Sequence, residues 1–232
     1  MTATSPQQPG DELSWRTDPY SDALREGRGP LYLRRTDGWL LPLEVERWCG
    51  GADAADMTVL RRCRGSVVDL GCGPGRLVAA LAALGHPALG IDASPAAVHR
   101  ARRRGGAALC RSVFDPLPAE GGWGSAILLD GNIGIGGDPE ALLGRVRDIL
   151  APEGTLLAEA APTEVEERVE VRLDDGNGGS GPVFPWARIG VPALRKRALA
   201  AGWEVLEEWS CRERYFFNLR PLDDAGGAAE PG

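Results

Sequence analysis

The stretch Val67–Arg76, reading Val-Val-Asp-Leu-Gly-Cys-Gly-Pro-Gly-Arg, constrains the fold more than any other part of this 232-residue chain. A short apolar run bounded by glycines reads as a buried parallel strand, and the alanine- and leucine-rich run after Gly75 reads as the helix that covers it. Gly71, Gly73 and Gly75 permit tight turning and a close approach of a ligand to the backbone, where a Cβ would intrude. A second short strand, Leu89 to Asp92, follows the helix and ends in an acid about 20 residues beyond Asp69. That spacing suits a carboxylate that accepts hydrogen bonds from both hydroxyls of a ribose. The unit therefore reads as a site for a nucleotide-type ligand.

The glycine pattern discriminates between such ligands. A dinucleotide fingerprint, G-x-G-x-x-G, needs glycine at position 76, so that a pyrophosphate can sit on the helix N-terminus. Position 76 is arginine. Glycine makes up 32 of the 232 residues, so an isolated G-x-G means little, and Gly27-x-Gly29 and Gly134-x-Gly136 supply two more. The order is what carries information: strand, acid, glycine loop, helix, strand, acid. The G-x-G-x-G loop preceded by Asp69 and followed by Ile91-Asp92 resembles motif I and its partner acid in the class I S-adenosylmethionine-dependent methyltransferases. The competing reading is a tight structural turn in some other α/β protein.

The rest of the chain alternates strands and helices, the pattern of a Rossmann-like, doubly wound, mostly parallel sheet. A short helix is expected over Ala52 to Cys63, and the covering helix from Gly75 to Leu84, stopped by Gly85. Ser94-Pro95 is an N-cap followed by proline at the first helical position. That helix ends in Arg102, Arg103 and Arg104, read as a solvated end that complements the macrodipole rather than an anion site. Ala107 to Cys110 and Ser125 to Leu129 are the third and fourth strands. Asp138-Pro139-Glu140 caps a helix with its apolar stripe at Leu142, Leu143, Val146, Ile149 and Leu150, and Thr155 to Ala158 is the fifth strand. Val165 to Leu173 and Val183 to Arg188 flank a glycine-rich turn and suggest an inserted hairpin or flap. Pro192 to Ala201 is the last helix, before strands at Trp203 to Trp209 and Arg214 to Leu219. The resemblance spans about residues 60 to 220 and implies a seven-stranded sheet with an antiparallel last strand.

Residues 15–60 precede this core, with a hairpin signal at Thr36-Asp37-Gly38. In the resembled family such additions form a lid over the cofactor and part of the acceptor pocket. Residues 61–221 are then the S-adenosylmethionine-binding domain. The ends, 1–14 and 222–232, are rich in Pro, Gly, Ala and polar residues and are expected to be disordered.

Carried over position by position, the resemblance places the methionine and ribose portion against Gly71, Cys72, Gly73 and Gly75. The same resemblance implies that Asp69 helps to orient the methionine amino end, directly or through water, and that Asp92, with Ala93 beside it, holds the ribose hydroxyls. Asp69 lies between Val68 and Leu70, so its charge needs a ligand or loop amide to satisfy it. For the adenine, one register puts Ser112 where the family commonly has an acid, with the Val113 amide nearby; the other puts Asp115 there. The first is preferred. At the end of the fourth strand, Asp130-Gly131-Asn132-Ile133-Gly134 occupies the place of motif IV, near the transferred methyl. Asp130 also counts among the cofactor contacts, and Asp130 and Asn132 are the candidate catalytic residues. The alternative for this segment is a glycine turn that needs positive φ angles. Tyr20, Tyr32 and Trp39 in the lid and Phe184 and Trp186 in the flap are candidate acceptor contacts, whereas Trp48, Trp123, Trp203 and Trp209 read as core.

A formal charge of −7 opposes a broad phosphate-binding surface, so nucleic acid is not the expected partner. A small-molecule methyl acceptor is. Five scattered cysteines without C-x-x-C spacing or nearby histidines argue against a disulfide scaffold and a metal site. No apolar run reaches a membrane span, and the N-terminal residues lack a signal pattern, so a cytoplasmic protein is expected. His86 and His99 read as structural, which leaves catalysis to placement of the acceptor rather than to a strong base. Two rivals stand beside the methyltransferase: a protein that binds the cofactor without turning it over, and a nicotinamide oxidoreductase, which Arg76 disfavours.

Overall fold

The computed structural model describes residues 18–222. The predicted disordered ends, apart from Leu222, lie outside these residues. The chain begins with helix α1 (Pro19–Glu26), hairpin strands β1 (Tyr32–Arg35) and β2 (Leu40–Pro42), and helices α2 (Val45–Cys49) and α3 (Ala54–Leu60). The parallel core follows as β3 (Val67–Leu70), α4 (Arg76–Ala83), β4 (Ala88–Asp92), α5 (Pro95–Arg103), β5 (Ala108–Cys110) and β6 (Trp123–Leu128). After a 3₁₀ turn at Asn132–Gly134 come α6 (Pro139–Ile149), β7 (Leu150–Ala160), β8 (Glu166–Asp174) and β9 (Ser180–Ile189). The chain closes with α7 (Val191–Ala200), β10 (Trp203–Cys211) and β11 (Arg214–Pro221).

Seven strands form the main sheet in the order β10-β11-β7-β6-β3-β4-β5, with β11 antiparallel to both its neighbours. The chain leaves β3 outward through β4 and β5, then returns to β6 on the other side of β3. That reversal is the switch point at which open α/β sheets leave a crevice beyond their strand ends. Leu70 of β3 lies beside Ile91 of β4, and Asp69 beside Ile127 of β6. Register thus brings the loops after β3, β4 and β6 to one edge.

Strand alternation splits the core in two. Val68 and Leu70 face one cluster, which contains the full stripe Leu142, Leu143, Val146, Ile149 and Leu150. Val67 faces the other, made with Val59 and Leu60 of α3 and Leu77 and Leu81 of α4. Asp69 falls on the same side of β3 as Val67, so its carboxyl lies in the α3–α4 layer. Ser94 and Asp138 accept hydrogen bonds from the first turns of α5 and α6 as read, Asp18 does the same for α1 without having been read, and Gly85 and Gly105 take positive φ after α4 and α5.

A second, four-stranded sheet, β2-β1-β8-β9, is the largest addition to the expected fold. The amino-terminal hairpin and the late flap are one structure: β1 pairs antiparallel with β8, Leu33 beside Leu173. Of the three arginines that end α5, Arg102 and Arg104 depart from the expected solvated end. Arg104 donates to the carbonyls of Trp48, Cys49 and Gly50, and Arg102 to that of Ala108; Arg100 donates to Leu24 O. Instead of ending in bare solvated charge, α5 ties down α1 and the carbonyl end of α2, whose free backbone acceptors need donors.

Candidate active site

The edge where the β3, β4 and β6 loops meet opens into a cavity of about 440 Å³, within the range of small-molecule sites. Its floor is the glycine loop. Gly71 and Gly73 adopt φ of +78° and +52°, and a Cβ on Gly71 would lie 2.5 Å from the Asn132 amide. That amide crosses to the loop and donates to Leu70 O at 3.0 Å and Gly71 O at 2.8 Å. Asn132 therefore holds the loop in place. Gly75 does different work from that expected of it. It is absent from the cavity wall, and its Cβ would stand 2.5 Å from the Ala101 Cβ, so it lets α4 pack on α5. Cys72 lines the cavity as a buried thiol, pushed up by burial and by Asp69 and Asp92 nearby.

Asp92 ends β4 with each oxygen on one backbone amide: Oδ2 accepts from Gly73 N and Oδ1 from Ser94 N, both at 2.8 Å. A carboxylate has about four lone-pair sites, so one on each oxygen remains for donors from the cavity. Burial pushes this carboxyl up to about 6, against the pull of its two amides. Asp69 lies behind the loop rather than in the cavity wall, 1% exposed, with no hydrogen-bond partner for Oδ2 among the described residues. Burial pushes it up to about 7, with Arg76 acting in the opposite direction.

At the adenine end expected from sequence, Ser112 and Val113 line the cavity and Asp115 does not. The Asp115 carboxylate turns back to accept from Ser112 N at 3.3 Å, and Ser112 Oγ accepts from Phe114 N at 3.2 Å. Ala93 also lines the wall.

Beneath the loop lies a buried network with no counterpart in the sequence reading. Arg76, on the first turn of α4, contacts Asp56 of α3 (Nη2–Oδ1 2.9 Å) and Asp130 (Nη1–Oδ2 2.7 Å). Arg47 of α2 reaches Asp130 Oδ1 at 2.8 Å. Arg214 of β11 joins Asp56 at 2.8 Å and Glu159 at 2.7 Å, and Glu159 accepts from Asp130 N at 2.7 Å. Both oxygens of Asp130, a residue at φ +59°, are thus engaged by guanidinium groups. Asp130 and Asn132 line the cavity as expected, but one anchors arginines and the other the glycine loop. A clue existed in the sequence: an arginine in a helix's first turn opposes the macrodipole, and beside the apolar run Leu77-Val78 it has to find carboxylates.

The roof is the second sheet. Leu33, Leu43, Leu173, Phe184 and Trp186 face the cavity together with Trp48, expected in the core, and Tyr20. Tyr32 does not: alternation along β1 turns Leu33 inward, and the Tyr32 ring lies against Gly176. Trp39 is outside as well, its ring under Arg35 and Arg188. Trp123 and Trp203 are core, and Trp209 stacks on Phe216. Burial, with Asp92 beside it, holds the Tyr20 phenol well above its usual range. The glycines at 134–137 let β9 approach: Ile135 bridges to Trp186, and a Cβ on Gly134 would lie 2.0 Å from Ala187 O. Positive φ at Gly131, Gly136 and Gly137 adds the turn requirement, so close approach and turn geometry both account for this segment.

Residues 67–154, from the first core strand to the start of the fifth, match the family model of a methyltransferase domain. Over those residues the chain resembles a methyltransferase domain. Among solved structures, the chain is similar to an S-adenosylmethionine-dependent methyltransferase from Bacteroides fragilis in complex with S-adenosyl-L-homocysteine. The TM-score is 0.74 at 21% identity, over 88% of this chain and 95% of that one. It is similar also to the 1,6-didemethyltoxoflavin-N1-methyltransferase of Burkholderia thailandensis (TM-score 0.59, 17% identity, 96% and 94% covered). A third, the CcbJ methyltransferase from Streptomyces caelestis, gives a TM-score of 0.54 at 16% identity over 72% and 93%. At these identities the likeness is one of fold. Among the described residues, no group of His, Cys, Asp and Glu is arranged to hold a metal, and no helix is long and apolar enough to cross a membrane.

Proposed function

We propose that this cavity binds S-adenosylmethionine and that the protein transfers its methyl group to a small-molecule acceptor. The observation that carries the reading is Asp92: a half-buried carboxylate at a strand end, each oxygen half-satisfied by a loop amide and still open to a donor from the cavity. Two ribose hydroxyls match that pair of lone pairs. The orphaned Asp69 Oδ2 supplies a second argument, because a buried acceptor without a donor needs one from a ligand or water. In this reading Gly71, Gly73 and Cys72 lie under the methionine and ribose portion, Ala93 beside the ribose and Ser112 and Val113 at the base, and their presence in one cavity wall supports it. The three solved neighbours described above are methyltransferases, two of them with S-adenosylhomocysteine bound.

The chemistry the cofactor supplies is an electrophilic methyl on a sulfonium, so the protein's work is placement in line and exclusion of water. Positioning of this kind supplies about 7–11 kcal/mol of a barrier. Asn132 holds the glycine loop at the right height, the Arg76–Asp130–Arg47 contacts pin the lid helix α2 to the floor, and the second sheet closes the acceptor side. Asp130 acts as a positioning residue.

Calorimetry with S-adenosylmethionine and S-adenosylhomocysteine tests the reading directly. The parent protein should bind both, and Asp92→Asn should weaken binding by about tenfold or more, since hydrogen bonds to a charged acceptor contribute about 1.5–3 kcal/mol. No heat with either ligand on folded protein would remove the proposal.

A further inference from the structure

Resting on that methyl-transfer reading, we propose that the acceptor is a flat, uncharged heteroaromatic molecule that is methylated on a ring nitrogen. The acceptor side of the cavity is walled by Leu33, Leu43, Leu173, Trp48, Phe184 and Trp186. Phe184 and Trp186 meet edge to face, centroids 6.1 Å apart at 87°, which presents a flat ring with one face and one edge to pack on. A charged acceptor packed among these six apolar side chains would be desolvated with no partner among them.

Among the described residues, the wall also lacks a proton acceptor left free once the cofactor is bound. Asp130 gives both oxygens to arginines, the open lone pairs of Asp92 are the ones assigned to the ribose hydroxyls, and the Cys72 thiol is buried in the loop, where burial and the two carboxyls near it push it up. Burial and Asp92 hold the Tyr20 phenol well above its usual range, so it is no base at neutral pH. Arg76 is spent on Asp56 and Asp130, and Arg111 lies beside Ser112 at the adenine end rather than among the apolar residues of the acceptor side. His86 and His99 lie outside the wall. A hydroxyl, thiol or carbon acid would have to lose its proton to become a nucleophile. A neutral ring nitrogen already carries its lone pair.

In the transfer that lone pair forms the N–C bond while the S–C bond breaks and its electrons return to sulfur. The positive charge moves from sulfonium to the ring, where the aromatic walls stabilise it by cation–π attraction. A ring N–H proton, where there is one, leaves afterwards to water.

The test uses protein loaded with S-adenosylhomocysteine, so that loading is verified first by calorimetry. Tryptophan fluorescence and calorimetry then follow quinoline and benzimidazole against naphthoate and cyclohexanol. The two neutral heteroaromatics should bind, at least about tenfold tighter than naphthoate or cyclohexanol, and Phe184→Ala and Trp186→Leu should each weaken them about tenfold. With S-adenosylmethionine, mass spectrometry should find N-methyl products whose rate follows the ring nitrogen's own ionisation, and naphthol should react only where it is itself ionised. If S-adenosylhomocysteine binds but naphthoate or cyclohexanol binds as well as the heteroaromatics, or naphthol is methylated at a constant rate across neutral pH, the substrate assignment falls while the methyltransferase reading stands. If S-adenosylhomocysteine itself fails to bind, both fall.

Discussion

Replacing Asp69 by asparagine should make the ligand-free protein more stable, and only above mildly acidic pH. Asp69 is 1% exposed, and one of its oxygens lacks a hydrogen bond among the described residues. Burial raises its carboxyl from 3.8 to about 7, with Arg76 opposing the rise. Because the folded value lies above the unfolded one, the group costs nothing below about pH 4, and its ionisation erodes stability as the pH rises toward 7. At pH 8 the full cost is about 4 kcal/mol. Asparagine keeps the shape and removes the charge, while Arg76 loses a distant partner, so a gain of about 2–4 kcal/mol is expected. For a domain of this size that corresponds to a melting temperature higher by roughly 5–15 °C. At pH 5 the gain should shrink to less than half. Thermal and urea unfolding at both pH values measure it. The same variant should bind S-adenosylmethionine at least about tenfold more weakly, as a site that trades stability for a ligand contact must. A variant no more stable than the parent at pH 8, or one with the same gain at pH 5, would refute the account of Asp69 as a carboxylate waiting for a donor.

Gly134→Ala should lower stability by about 1–3 kcal/mol, since its methyl would meet Ala187 O at 2.0 Å and the Trp186 indole at 2.9 Å. Gly144→Ala, inside α6 with nothing within 4 Å, should instead raise stability by about 0.5–1 kcal/mol; equal melting temperatures for the two would show that β9 yields freely. Asp130→Asn leaves Arg47 and Arg76 short of a carboxylate and should cost about 3–5 kcal/mol, with amides of α2 losing hydrogen-exchange protection first; uniform loss across the chain would contradict a lid anchor. Ser112→Ala should weaken cofactor binding in calorimetry, while Asp115→Ala changes it by less than about twofold. The reverse order would move the adenine to Asp115.

What could be read from the chain alone was local. The run from Val67 to Asp92 announced strand, loop, helix, strand and acid, because glycine conformations, caps and apolar periods all act within a few residues. The parallel sheet, the Ser94 and Asp138 caps and the carboxylate at Asp92 followed from that. Tertiary structure decided the rest. That β1 pairs with β8, and so that hairpin and flap form one roof, depends on a partner some 140 residues away, as does the Arg34–Asp174 ion pair across it. Tyr32 and Leu33 are neighbours of similar apolar character, and the pairing determines which of them faces the ligand. The engagement of Asp130 by Arg47, Arg76 and Arg214 joins three separate elements. A carboxylate at a strand end reads the same in sequence whether it meets a proton, a sugar or a guanidinium, and only the packing of distant side chains around it distinguishes them.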